Sequence, residues 1–388
     1  MTKEKVVIVR GFEYDSIDLA VAFNNTAKAM FGPDPFFGTK DKFWLPRNPV
    51  AFSTVKVGLN QEEKIVMGQM RIKGIEGDFV LDGSTIQAFV DKNEIAKAES
   101  FMDNVKTSLK TTSLYKGKAV TSSRGFMDLS KVDLDALVYN PRVLQELKDN
   151  LFVLMQKTEQ LRRDGVRIRR KVLFQGRFGT GKTMAALVAA KLGIENGFTV
   201  YYLEPTSQDA SGAVEFMLQL CKKYPPAMLV IEDFDREQRL GDFYGTTKMV
   251  SAIDGMTSKD SEILVVLTTN FKDKIAGGLQ RPGRIDKTIN FDIFTPEDTE
   301  RLLKVVVPSG YLDPNIDWKR VGEATSRMTP AFVGEGVGVG ATLAAVNRAK
   351  NGDKPVVTQE ILIEVAEGLH DQLRACENAE QAGFSPSR

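Results

Sequence analysis

Lys171–Thr183 reads KVLFQGRFGTGKT. Val172-Leu173-Phe174 is a short apolar run of the kind that forms a strand buried on both faces. Gly176–Thr183 then spells GxxxxGKT, and Met184–Leu192 (MAALVAAKL) follows with strong helix formers. Strand, glycine-rich loop and helix is the setting in which this sequence binds phosphate. Gly176, Gly179 and Gly181 let loop N–H groups, those of Arg177, Phe178 and Thr180 among them, converge on phosphate oxygens. The helix beginning near Met184 presents the positive end of its dipole. Lys182 is placed to reach the outer phosphates, and the Thr183 hydroxyl to ligate magnesium. The stretch is read as a nucleoside triphosphate site.

At 388 residues the chain has length for two or three domains with substantial cores. Lys and Arg number 52 against 51 Asp and Glu, so no bulk basicity draws it toward nucleic acid, and none is expected as a partner. Two cysteines, Cys221 and Cys376, make no disulfide framework and no metal-ligand spacing. The single histidine, His370, excludes mechanisms that need an internal histidine elsewhere. No apolar run reaches the roughly 18–20 residues of a membrane span, and the amino terminus lacks the apolar core of a signal peptide. A soluble, cytoplasmic protein without a membrane partner is expected.

Residues 1–125 read as a separate α+β module. Val6–Val9 is a strand candidate, and Ser16–Met30 a helix opened by Asp15 or Ser16. Short β-branched runs between Val50 and Phe89 (AFSTVKVG, KIVMGQMRI, DFVLDG, TIQAF) suit a small meandering sheet. Glu94–Lys110 is helical again, and Tyr115–Val120 a further strand. Trp44, in FWLPRNP, is read as an aromatic that pins its own loop. Asn140-Pro141 caps a helix whose Leu144, Leu147, Leu151 and Leu154 share a buried face. The basic run RRDGVRIRRK (162–171) lacks interleaved aromatics and reads as a solvated loop or subunit contact.

Beyond the phosphate loop, Phe198–Leu203 is a second buried strand, and AMLVIEDFD (227–235) a third that ends in acids. Glu232 and Asp233, with Asp235 close behind, sit where an open α/β sheet binds its ligand. From there an acid holds magnesium or polarises the attacking water. Ile263–Leu267 is the next strand, and Asn270 at its end is level with the acids if the strands are neighbours, placed to orient water. Arg281 and Arg284, in LQRPGRID, offer guanidinium groups that suit charge developing on a transferring phosphoryl, and such a group can be supplied by a neighbouring protomer.

These motifs in this order, with SAIDGM (251–256), LTTN (267–270) and LQRPGRID (279–286) at family-like spacing, resemble the AAA family of ATPases within the wider AAA+ group. The resemblance runs from roughly Phe126 to Lys350. It implies a phosphate-loop α/β domain over 126–306 with a parallel sheet flanked by helices. It further implies a C-terminal helical lid over 307–376 and a flexible tail over 377–388. ATP and Mg2+ are the implied cofactors. The implied assembly is a homo-oligomeric, hexameric ring, and Asn270 is the first sensor. Arg281 and Arg284 are implied as fingers that reach the next subunit's site. The family's Walker B strand usually ends Asp-Glu; here it ends Glu232-Asp233. By position Glu232 takes the magnesium role, with Thr183, and Asp233 that of the catalytic base. The segment PTSQDASGAVEF (205–216) is short and lacks the aromatic of threading enzymes. Both features are similar to those of mitochondrial translocases of the Rieske iron–sulfur subunit. The lid segment TPAFVGEGVGVGATLAAVNRAK (329–350) is glycine-rich where a helix would start, and no second sensor is assigned there. The expected function is ATP-driven remodelling of a protein partner bound through residues 1–125. A nucleic-acid motor or loader and a slow nucleotide-switched scaffold are the alternatives.

Overall fold

A computed structural model describes residues 5–38, 49–133, 138–203, 210–234, 249, 251–253, 261–270, 284–292, 294–350 and 353–382. Trp44, Asp235, Arg281, residues 205–209, the second half of SAIDGM and the tail end 383–388 lie outside the described residues. Two compact units are present. The first is Met1–Asp128 with Gly197–Tyr202 and Phe216–Met228, and the second takes the rest of the chain.

The first unit is built on an antiparallel sheet. Strands β1 (Lys5–Gly11), β2 (Phe36–Phe37), β3 (Ala51–Gly58), β4 (Gln61–Ile72), β5 (Gly77–Asp82) and β6 (Thr85–Asp91) take the order β1-β6-β5-β4-β2, with β3 paired to β4. Alternate residues such as Phe79, Leu81, Ile86 and Ala88 are buried, the period-2 pattern of a sheet packed on one face. Helices α1 (Ser16–Phe31) and α2 (Ile95–Thr111) pack together, and Phe23, Phe79 and Phe101 meet edge to face at the core. Asp15 caps α1 as expected, its side chain accepting from the Ile17 N–H at 2.9 Å.

The first turn of α1 carries a buried acid, Asp18. It accepts hydrogen bonds from Ser113 Oγ (2.6 Å), Leu114 N–H (2.8 Å) and Tyr224 Oη (2.9 Å). Burial still pushes its carboxyl above the usual carboxylate range, against the pull of those donors. The strand expected from Tyr115 starts later, as β7 (Ala119–Thr121), because a turn with Gly117 at φ +68° intervenes. Tyr115 instead buries its ring against Phe126 and Tyr224.

The parallel strands that follow are β8 (Arg170–Gln175), β9 (Thr199–Leu203), β10 (Ala227–Ile231), β11 (Ile263–Thr269) and β12 (Lys287–Asn290). In the first unit β7 runs parallel to β9, with Ala119 level with Val200. In the second unit the order is β12-β8-β11-β10, and both neighbours of β8 are parallel to it. β10 and β11 are buried at every position, and β8 at all but its first, so these strands carry continuous apolar runs with no alternation. Helix Lys182–Glu195 packs against β11. The fold is therefore mixed α/β with a parallel sheet flanked by helices and a helical C-terminal region.

The helix expected after Asn140 begins there, the Asn140 side chain accepting from the Arg142 N–H at 3.0 Å. It is not regular. Pro141–Leu147 opens into a wide π turn, Lys148–Phe152, before Val153–Gln156. Leu147, Leu151 and Leu154 are buried, whereas Leu144 stays half-buried.

The C-terminal helices enclose their own core, with Leu303, Val321, Val333, Val337, Ala341 and Leu362 buried together. Helix Pro296–Val306 opens with a capping box between Thr295 and Asp298. The glycines after Thr329, which disfavour a helix by propensity, lie inside one, a wide π helix over Phe332–Val339 that continues as Gly340–Arg348. The reason is close approach. A Cβ on Gly338 would come within 3.0 Å of Val306, one on Gly336 within 2.7 Å of Leu369, and one on Gly340 within 2.9 Å of Val365. No helix among the described residues is long and apolar enough to cross a membrane.

Candidate functional site

The carboxyl ends of β8, β10 and β11 carry the phosphate loop, the two acids and Asn270 respectively. Gly179 and Gly181 adopt φ of +73° and +91°, the left-handed region that a side chain resists. Gly176 is needed for a different reason: a Cβ there would lie 2.2 Å from the Phe291 carbonyl oxygen. The glycines thus answer to packing behind the loop as well as to openness in front of it. Gly181 caps helix Lys182–Glu195, whose first N–H groups have no partner within the helix. Lys182 is 6% exposed, and its ammonium donates to the Gly176 and Arg177 carbonyls at 2.8 Å each. Thr180 Oγ1 donates to the same Arg177 carbonyl at 2.8 Å.

Thr183 Oγ1 donates to Glu232 Oε2 at 2.9 Å, so a hydroxyl and a carboxylate meet beside the loop. Two hard oxygen donors at the start of a phosphate-loop helix fit a Mg2+ ion that takes its other ligands from water and phosphate. Asp233 points elsewhere: Asn270 Nδ2 donates to its Oδ1 at 2.7 Å. The Asp233 backbone has φ +44°, one of the two positive values among the described non-glycine residues. The two acids therefore face different partners although they are adjacent in sequence.

A cavity of about 450 Å³ opens between these groups and the C-terminal helices. That volume lies in the range of small-molecule sites. Phe178, Gly179, Gly181, Lys182 and Thr183 line one side, and Glu232, Asp233 and Asn270 another. Leu302, Val306, Pro330, Ala331, Gly334 and Glu335 form an end that is largely apolar. The Ala331 N–H donates to the Gly179 carbonyl at 3.0 Å and ties this end to the loop. Of the other residues singled out in the sequence, Gly176, Arg177 and Thr180 shape the loop from behind, and Met184 is half-exposed beyond the lining.

Arg284 is half-buried and is not among the residues that line this cavity. Two residues on, the Asp286 N–H donates to the Lys171 carbonyl at 2.9 Å, and Asp286 Oδ2 accepts from the Lys171 N–H at 2.8 Å. Asp286 is thereby level with the amino end of β8, and about 17 Å of strand separates Lys171 from Gly176.

Three contributions escaped the sequence reading. Thr268 lies between the acids; its strand parity with Asn270, two residues on, is a signal that would have found it. Tyr139 donates its hydroxyl to the Gly181 carbonyl at 2.7 Å, and its ring lies 2.9 Å from where a Gly181 Cβ would stand. Burial pushes the Tyr139 hydroxyl well above its ordinary pKa, so it stays a donor. No local pattern marks it. The apolar end supplied by Leu302, Val306 and Gly334 comes from helices remote in sequence.

Residues 172–293 match the ATPase family associated with various cellular activities (AAA). Over 250 residues the chain is 26% identical to a proteasome-activating nucleotidase of Methanosarcina mazei, covering 61% of this chain and 58% of that protein. Over 248 residues it is 27% identical to an ATP-dependent zinc metalloprotease FtsH 2 of Thermoanaerobacter, covering 58% and 46%. A probable inactive ATP-dependent zinc metalloprotease FTSHI 5 of Arabidopsis thaliana chloroplasts is 27% identical over 207 residues, 48% and 15% of the respective lengths. The chain spans about half the length of the first two relatives. With a phosphate loop, paired acids and a strand-end asparagine gathered at one end of a parallel sheet, residues 172–293 form an AAA ATPase domain.

Proposed function

We propose that this chain hydrolyses ATP to ADP and phosphate and uses the cycle to remodel a protein partner. The observation that carries the reading is the division of labour between the adjacent acids, Glu232 with Thr183 and Asp233 with Asn270. Lys182 turns from the loop carbonyls toward the outer phosphates, and the loop N–H groups hold the remaining oxygens. Thr183 and Glu232 would hold Mg2+, which when bound neutralises charge on the phosphate oxygens. Asp233 accepts the proton of the attacking water, and Asn270 keeps the carboxylate in place. The apolar end of the cavity takes the base.

The remodelling role is supported by relatives named for proteasome activation and for ATP-dependent proteolysis. Residues 1–125 are the proposed partner module, 126–306 the nucleotide-binding domain and 307–376 the lid. The active form is a homo-oligomeric ring, hexameric by family likeness, in which Arg281 and Arg284 serve the neighbouring site. The Glu-Asp order of the acids keeps the likeness to Rieske-protein translocases as the finer form of this reading.

The direct test is Lys182→Ala. It removes a buried charge from a loop built for phosphate, and ATP affinity should fall about 10²-fold or more with the fold retained. Calorimetric titration of a folded variant that binds ATP like the wild type would refute the assignment. A smaller effect is expected for Tyr139→Phe, which keeps the ring and deletes the hydrogen bond to Gly181. Its ATP affinity should drop about fivefold, the size of one neutral hydrogen bond. An unchanged dissociation constant would mean that the bond does not shape the loop.

A further inference from the structure

Thr268 sits on β11 two residues before Asn270 and is 1% exposed. Its hydroxyl accepts the Asp233 N–H at 2.9 Å and donates to Glu232 Oε2 at 3.4 Å. Its carbonyl accepts the Phe234 N–H at 3.0 Å. One threonine is thus bonded to three consecutive residues, Glu232, Asp233 and Phe234, at the point where the chain leaves β10.

Those bonds span an unusual backbone. Asp233, at φ +44°, is in the left-handed region, which disfavours a side chain although Asp tolerates it better than most. Such a conformation persists only where its surroundings over-determine it. Here the N–H of the strained residue is held by a buried hydroxyl on the neighbouring strand. The turn it enforces delivers the Asp233 carboxylate to Asn270 at 2.7 Å. Asp233 is one methylene shorter than glutamate, and it is aimed by the backbone instead of by side-chain reach.

We infer that Thr268 is a positioning residue for ATP hydrolysis, locking the left-handed turn at Asp233 so that its carboxylate meets the attacking water. The inference rests on the ATPase reading above. Thr268 also lines the cavity, and in this role it acts through Asp233. Its second bond, to Glu232, fixes the spacing between the two acids.

Thr268→Val keeps the volume and branching of the side chain and deletes the hydroxyl, whereas Thr268→Ser keeps the hydroxyl. Steady-state phosphate release should show kcat of Thr268→Val reduced about 10²-fold, the scale of a misplaced reacting group, with KM for ATP nearly unchanged. Thr268→Ser should recover most of the lost turnover. A wild-type kcat in Thr268→Val, or equal losses in Thr268→Val and Thr268→Ser, would overturn the inference. So would a fall in ATP affinity as large as the fall in kcat. A second measurement stands even if Thr268→Val fails to fold. In the wild-type protein the Asp233 amide should exchange with solvent deuterium as slowly as the β11 core amides, and exchange at an open-loop rate would overturn the inference. Lys182→Ala is run alongside. If it releases phosphate as fast as the wild type, the ATPase reading fails and Thr268 falls with it. If the wild type turns over and Lys182→Ala does not, the Thr268 result bears on positioning alone.

Discussion

Arg284→Ala is expected to bind ATP almost as the wild type does and to hydrolyse it about 10³-fold more slowly, the scale of losing an arginine finger. The expectation follows from the proposed reading, in which Arg284 acts in trans. The Asp286–Lys171 pairing anchors the start of this segment at the amino end of β8, whereas the phosphate loop follows its carboxyl end. About 17 Å of strand lies between Lys171 and Gly176, and the segment that carries Arg284 joins β12 at the Lys171 end. A charge that acts on the transition state of a neighbour lowers turnover without lowering affinity. Mixing makes the test specific. Arg284→Ala subunits, inactive alone, should regain activity when co-assembled with Lys182→Ala subunits, because one kind contributes a competent pocket and the other a competent finger. If Arg284 instead makes an ion pair within its protomer, the variant loses thermal stability and mixing rescues nothing. Mixed rings confirmed by native mass spectrometry that show no rescue would count against the shared site.

Asp233→Asn should retain ATP and lose hydrolysis by about 10³-fold, within the range of a general base. The substitution is a clean one. Asn tolerates a positive φ as well as Asp does, and its amide oxygen still accepts from Asn270, so the change isolates the charge. Glu232→Gln supplies the contrast, since Glu232 is bonded to Thr183. Its turnover should be restored in part by raising the magnesium concentration, whereas Asp233→Asn should not respond. Magnesium titrations of phosphate release decide the matter, and the opposite pattern would show that the two acids have exchanged roles.

The sequence by itself determined what depends on contiguous residues. Strand, glycine loop and helix occupy 13 consecutive positions plus a helix, Lys171–Thr183 and onward, and their chemistry follows from residue type and order. Helix starts at Asp15 and Asn140 were legible for the same reason, because a cap acts over two or three residues. The acids of β10 and the amide of β11 were legible as strand-end polar groups after apolar runs. Which of them touch was not. β10 and β11 are buried on both faces, as is nearly all of β8, so an unbroken apolar run carries no phase to say which side chains point together. That choice is made by register between parallel strands joined through long crossovers, and it brings Thr268 to Asp233 across 35 residues. The left-handed turn at Asp233 meets a buried hydroxyl that this register supplies. The glycines of the C-terminal helices are the mirror case. Local propensity opposes a helix at Gly334–Gly340, and the tertiary structure overrides it because neighbouring helices leave no room for a Cβ at Gly336 or Gly340. Tyr139 reaches Gly181 from 42 residues away, a contact that packing decides and spacing does not encode.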